Sequence, residues 1–311
     1  MNNDAVKGGA AAPSEAARGV VYGGLAFALW GLSAIFYKLL EHVPVLEVTA
    51  HRGLWSVPIA AAALVIMGRT RDIVPALRNP RLLAVLALSS VCVVINWLLY
   101  VWAIVADRAL DASLGYFINP LVNVLLGLVL LNERLTAAQW SAVALAACGV
   151  AIQTTALGAV PWLGLSLAFT FALYGYLRKT AAIGPAQGFL VEMLLVLPVA
   201  GAYIAWLETT GRGMFAADLA TAGLLAGSGL MTAVPLILFS AAARRIRLAT
   251  LGLMQYLAPS MIFLTAVFIF DEPLETWGLV SFGFIWAGLV VFSVSAAREE
   301  RLQRARARLP A

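Results

Sequence analysis

The chain has 311 residues, 62% of them hydrophobic and only 12% charged, with a net charge of +5. Soluble domains carry about a quarter charged residues, so this composition excludes a soluble globular protein and defines a polytopic membrane protein. The positive balance does not indicate nucleic acid, because the basic residues sit in short loops and a basic tail rather than on one face of a domain.

Residues 1–17, MNNDAVKGGAAAPSEAA, are polar and Ala-rich with no apolar core, which excludes a secretory signal and predicts a short disordered cytoplasmic tail. A bilayer core about 30 Å thick needs about 20 apolar residues per helix. Runs of that size fall at 19–40, 45–67, 82–106, 109–131, 137–156, 160–179, 186–206, 219–243, 249–270 and 275–297, separated by Pro, Gly and charged residues. The expected fold is an all-α membrane protein of ten transmembrane helices. Cytoplasmic loops retain Lys and Arg. With the N-terminus inside, only Lys38, Arg52, Arg108 and Arg212 of the 21 basic residues fall on the far side, so both termini are expected in the cytoplasm.

The stretch from Leu114 to Val150 returns between Leu251 and Val290. Pro120, Glu133, Leu135 and Gly149 meet Pro259, Glu272, Leu274 and Gly288, each pair 139 residues apart. FALWG at 27–31 similarly resembles FALYG at 171–175, and Glu47 resembles Glu192, at slightly larger offsets. The chain therefore divides into a five-helix repeat at 18–156, a second at 157–297 and a basic cytoplasmic tail at 298–311. An odd number of spans per repeat places the second upside down relative to the first.

Polar residues inside these spans are the candidate site. His51 and Arg52 stand about 10 Å from the start of the second span at 1.5 Å per residue. A permanently charged guanidinium there needs Glu47 or a substrate carboxylate as its partner, or else it snorkels to the headgroups. His51 reads either as a proton-coupling group or as a hydrogen-bonded structural residue. On the third span Asn96 and Tyr100 lie one turn apart, while Trp97 and Trp102 read as packing or lipid-facing rings. On the fourth, Tyr116, Asn119 and Asn123 form one stripe around Pro120. Pro120 frees a backbone carbonyl, so the stripe is either a kinked polar surface for substrate or a kink repaired by one asparagine.

Glu192 is the one carboxylate well inside a span, and it suits either proton coupling or a salt bridge to Arg178 or Lys179. Gln255 and Tyr256 precede Pro259, giving a second polar kink. Glu133 and Glu272 stand in sharp turns and read as caps for amides at the start of the next helix. Walker, HExxH and CxxC motifs are absent, and the histidines are His42 and His51 alone, so no catalytic residue, cofactor or metal site is expected. Cys92 and Cys148 lie in apolar runs and read as small hydrophobes.

Several stretches resemble the EamA group of the drug/metabolite transporter superfamily, and more narrowly its RarD type. They are WGL at 30–32 with Tyr37 and Lys38, VPVLEVTAHRGLWS at 43–56, NWLLYVWA at 96–103, ASLGYFINPLVNVLLG at 112–127, LTAAQW at 135–140 and MQYLAPS at 254–260. The resemblance implies two inverted five-helix repeats around a central cavity, the fifth and tenth helices at the periphery, alternating access, and a multi-pass protein of the bacterial inner (plasma) membrane. One departure concerns the acid that small multidrug members carry in their first helix, since residues 19–37 contain none. Any proton coupling would then fall to Glu192 or His51.

The resulting expectation is a secondary transporter that exports a small polar or zwitterionic metabolite such as an amino acid. A drug efflux carrier for hydrophobic compounds and a membrane ligand sensor that moves nothing are the alternatives. Arg52, Asn96, Tyr100, Asn119, Asn123, Gln255 and Tyr256 would contact substrate, with Trp30, Tyr116 and Tyr174 as aromatic walls. The expected partners are a small-molecule substrate and the lipid bilayer, without nucleic acid. One chain holds both halves, so a monomer suffices.

Overall fold

A computed structural model of the chain describes residues 15–71, 73–131, 136–243, 245–246 and 254–307. These residues form α1 (Glu15–Lys38), α2 (Val45–Ile66), α3 (Ile73–Leu77), α4 (Pro80–Val105), α5 (Ala109–Leu131), α6 (Ala137–Leu157), α7 (Trp162–Thr180), α8 (Pro185–Thr209), α9 (Leu219–Ala243), α10 (Leu257–Phe268) and α11 (Thr276–Ala307). Among the described residues there is no strand.

Local chemistry sets several helix ends. The Asn79 side chain accepts from the Leu82 amide at 3.1 Å, with Pro80 opening α4, where a missing N–H costs nothing. Thr136 and Gln139 form a reciprocal capping box ahead of α6. Asp218 accepts from the Thr221 amide at 2.8 Å and its hydroxyl at 2.7 Å at the start of α9. The Thr221 contacts hold the Asp218 carboxyl below the usual aspartate range. Gly158 ends α6 at φ 65°, the left-handed conformation that a residue without Cβ adopts freely.

Seven of these helices, α1, α2, α4, α6, α8, α9 and α11, are long and apolar enough to cross a membrane. The expected count of ten is thus reached only in part. α5, 23 residues long, is not among the seven; α7 has 19 residues and carries Arg178 and Lys179 in its last turn; and α10 has 12 residues, or about 18 Å of helix. α3 is a short helix between the second and third runs that apolar periodicity did not reveal. α11 continues without a break into the expected basic tail, as far as Ala307. At the other end α1 begins at Glu15, inside the segment expected to be disordered.

The most extensive helix contacts are α6 with α11, α5 with α7, α2 with α9, α1 with α9, α2 with α8, α4 with α7, α1 with α10 and α5 with α10. Every one joins residues before 157 to residues after it. Small residues permit the close approaches. A Cβ on Gly115 would stand 2.6 Å from the Gly164 carbonyl oxygen, between α5 and α7. A Cβ on Gly149 would lie 2.8 Å from the Ser281 carbonyl oxygen, and one on Gly288 would lie 2.8 Å from that of Ala142. Residues 142 and 149 of α6 therefore meet 288 and 281 of α11, so the two helices run antiparallel. Ser281 also donates to the Gly149 carbonyl at 2.8 Å.

Candidate functional site

Arg52 lies where α1, α2, α4 and α9 meet. Its residue is 6% exposed, which removes the snorkelling arrangement. Nε donates to the Thr232 hydroxyl of α9 at 2.7 Å. The guanidinium carbon stands 4.2 Å from the Trp97 ring centroid of α4 and 5.1 Å from that of Tyr37 of α1. Two aromatic faces stabilise a desolvated cation through their quadrupoles. Nη1 is buried without a hydrogen-bond partner.

Glu47 does not neutralise Arg52. Five residues separate them, about 140° around the helix, so they occupy different faces. Glu47 is fully buried, and its Oε1 accepts from the Met214 amide at 2.7 Å, tying α2 to the α8–α9 connection. One turn on, His51 stacks on Phe215 with ring centroids 4.9 Å apart, and its Nδ1 accepts from Trp55 Nε1 at 3.3 Å. His51 Nε2 is buried without a partner.

From Arg52 a line of rings crosses the core. Tyr37 and Tyr100 are 6.0 Å apart, Tyr100 and Tyr116 5.8 Å, Tyr116 and Phe171 5.9 Å, and Phe171 and Tyr174 6.1 Å. Their hydroxyls are engaged in part. Tyr100 shares a 2.9 Å hydrogen bond with Ser33, and Tyr116 donates to Asn96 Oδ1 at 3.1 Å. Asn96 Nδ2 donates to the Leu167 carbonyl at 3.0 Å and to Thr170 Oγ1 at 3.1 Å, which joins α4 to α7.

The line ends at Glu192, which is fully buried. Ser89 donates to Glu192 Oε1, Tyr174 donates to Oε2 at 3.4 Å, and Arg178 Nε stands 3.5 Å from Oε1. Ser90 donates to the Glu192 carbonyl at 3.3 Å. Glu192 thus forms the salt bridge to Arg178 and gathers α4, α7 and α8. Arg178 further donates to the Pro185 carbonyl at 3.0 Å, beside a cavity of about 480 Å³ lined by Pro75, Asn79, Leu82, Ile183 and Gly184 among others.

The remaining candidates stand apart from Arg52. Asn119 is fully buried and donates to the Ala168 carbonyl of α7 at 3.0 Å. α5 continues through Pro120. The side chains of Pro120 and Asn123 lie outside the described residues. Gln255 and Tyr256 form a turn directly before α10, so Pro259 falls in the first turn of that helix, and its carbonyl accepts from Ser113 at 2.9 Å. Trp30 belongs to a separate aromatic group with Phe27 and Phe239.

Glu272 accepts from the amides of Ala109 at 2.6 Å and Leu110 at 2.9 Å. It caps α5 across the structure rather than the helix that follows it, which corrects the local reading. Burial pushes its carboxyl above the usual range, against the pull of those amides. Glu133 lies outside the described residues. Sequence reasoning missed Tyr37, Thr232, Ser89 and Phe171, and took Trp97 for a packing ring. The available signal was that Trp97 adjoins Asn96 in an aromatic run.

The described residues are helical, and a guanidinium and two carboxylates are buried among apolar helices, seven of them long enough to cross a membrane, which defines the class as a multi-pass membrane protein. Residues 17–155 match the EamA-like transporter family. Protein RarD of Salmonella typhi is 42% identical over 91% of this chain and 97% of its own length. Protein RarD of Escherichia coli is 39% identical over 91% and 96%. An uncharacterized transporter of Vibrio cholerae is 40% identical over 91% and 94%. One solved crystal structure, 19% identical, superimposes with a TM-score of 0.60 over 91% of this chain and 98% of its own, a likeness of fold. The chain belongs to the EamA-like transporter family, with RarD proteins among its relatives.

Proposed function

We propose that the chain is a secondary transporter of the inner membrane that exports a small polar, carboxylate-bearing metabolite by alternating access, both termini being cytoplasmic. The observation that carries this reading is Arg52: a guanidinium at the junction of four helices from both halves, with a buried Nη1 and no ion pair among the described residues. Arg52, Tyr37, Trp97 and Thr232 form the substrate-facing group. Tyr100, Tyr116 and Asn96 support it from behind, and Glu192 with Arg178 fastens one end of the pathway.

The architecture is ten spans in two inverted halves, α1, α2, α4, α5 and α6 corresponding to α7, α8, α9, α10 and α11. Support comes from the packing. Exchanging each helix with its counterpart turns the α5–α7 contact into α10–α1, α1–α9 into α7–α4, and α2–α9 into α8–α4. The pairs α2–α8, α5–α10 and α6–α11 map onto themselves, as an in-plane two-fold requires.

Purified protein in liposomes tests the function. Counterflow of labelled carboxylate metabolites is expected from the wild-type chain and lost with Arg52→Ala at equal incorporation. Ligand binding without counterflow across a broad metabolite panel would instead establish a sensor.

A further inference from the structure

We infer that the substrate is an organic anion with an apolar, aromatic-compatible body, rather than a zwitterion or a cation. This rests on Arg52 as the substrate-facing group, and it follows from a census of charges around that group.

A zwitterionic amino acid brings an ammonium together with its carboxylate, and in a low-dielectric site each needs an opposite charge. The structure offers the first partner and withholds the second. Arg52 is buried, keeps a hydrogen-bonding group unused, and contacts no acid among the described residues. Among the described residues, the acids fully buried inside the helices are Glu47 and Glu192. Glu192 is committed to Arg178, Ser89 and Tyr174. Glu47, about 140° around α2 from Arg52, turns one oxygen to the Met214 amide and keeps the other buried without a hydrogen-bond partner on that separate face. At the helix ends, Asp111 is paired with Arg108 at 2.6 Å and Asp107 with Lys38 at 2.7 Å.

Aromatic faces can hold an ammonium through cation–π contact, but the faces beside this site already hold a cation. Trp97 and Tyr37 are occupied by the Arg52 guanidinium itself. A second cation there would meet like-charge repulsion at close range. What the site does supply next to the charge is ring surface, from Tyr37 through Tyr100 to Tyr116. One net positive charge bordered by aromatic area selects a monoanion whose carboxylate meets the guanidinium and whose body lies along the rings.

Three probes that share one body and differ in charge decide the matter: 3-phenylpropionate, phenylalanine and phenethylamine. Thermal unfolding of the detergent-purified full chain is measured with each. At about 100-fold excess over Kd the anion is expected to raise the melting temperature by roughly 5 °C, with no comparable shift from the other two. Arg52→Gln should weaken the response to the anion at least about tenfold, and Arg52→Lys, which keeps the charge and loses the fork, should fall between. Stabilisation by phenylalanine or phenethylamine equal to that by the anion overturns the inference, as does no stabilisation by any of the three. The charge series on the wild-type protein decides even where an Arg52 variant does not fold. Counterflow of the same probes in liposomes separates the two readings. Anion binding without counterflow removes transport and leaves the charge preference, whereas counterflow of phenylalanine but not of 3-phenylpropionate removes the charge preference and leaves transport.

Discussion

Arg178 and Glu192 show how much a single buried ion pair depends on both members. Glu192 has no exposed surface, so removing its cation leaves a charge that neither water nor lipid can solvate. Breaking one side of such a pair costs about 3–5 kcal/mol, while replacing both sides with apolar groups costs far less. Arg178→Met should therefore unfold well below the wild type in a detergent thermal melt, and Arg178→Met with Glu192→Leu should recover most of the difference. Equal losses in the single and double variants would show that the pair does not hold α7 to α8. Glu272 supplies a test with a sign. Its carboxyl is raised in the folded state, chiefly by burial, so the folded chain binds more protons than the unfolded one above the ordinary value of 4.5. Stability from this group is then greatest at low pH and falls as pH rises through 4.5 toward the higher folded value. Glu272→Gln cannot ionise and keeps an acceptor for the Ala109 and Leu110 amides. Its melting temperature should decline less steeply with pH over that window, and parallel slopes for the two proteins would refute the assignment.

Single helices were readable from the sequence because one physical requirement, a run of apolar residues matched to the bilayer, fixes them nearly alone. What apolarity does not encode went unread. α3 is too short to register, and the extension of α11 to Ala307 depends on helix propensity in a charged segment rather than on hydrophobicity. Arg52 and Glu192 stood out because charge inside an apolar run is costly, yet their partners Thr232 and Ser89 are small polar residues that such a run tolerates without notice. The repeat shows a similar limit. Gly149 and Gly288 were visible as matching letters, but their reason is spatial: each lets a carbonyl of the opposite helix approach where a methyl group would clash. Gly149→Ala and Gly288→Ala should each destabilise the chain by about 1–3 kcal/mol, the usual range for overpacking, and by similar amounts because the contacts are reciprocal. Thermal melts of the two variants check this, and a neutral effect at either position would mean that α6 and α11 separate freely. Gly283, which has open space around its Cβ position, makes the control, since alanine there should not lower stability.

At the scale of the whole molecule, the helices before residue 157 and those after it pack chiefly against one another. Each of the most extensive helix contacts crosses between them, whereas within the second half α8 and α9 touch only slightly. Arg52 itself is assembled from both, with Tyr37 and Trp97 before residue 157 and Thr232 after it. Lipid tails are as apolar as leucine, so helices associate through close packing and interhelical hydrogen bonds, and most of both lie across the division. A lone half would therefore keep its spans in the membrane but lose the contacts that orient them. Residues 1–156 expressed alone are expected to aggregate in detergent or to be degraded, and residues 157–311 alone to do the same. Expressed together from separate reading frames, the two should co-purify as one complex and regain a cooperative thermal transition, because the bonds that matter run between them and not through the Leu157–Pro161 link. A monodisperse, cooperatively melting 1–156 fragment would overturn this, and would mean that the helix pairs within a half carry more of the stability than their sparse contacts indicate.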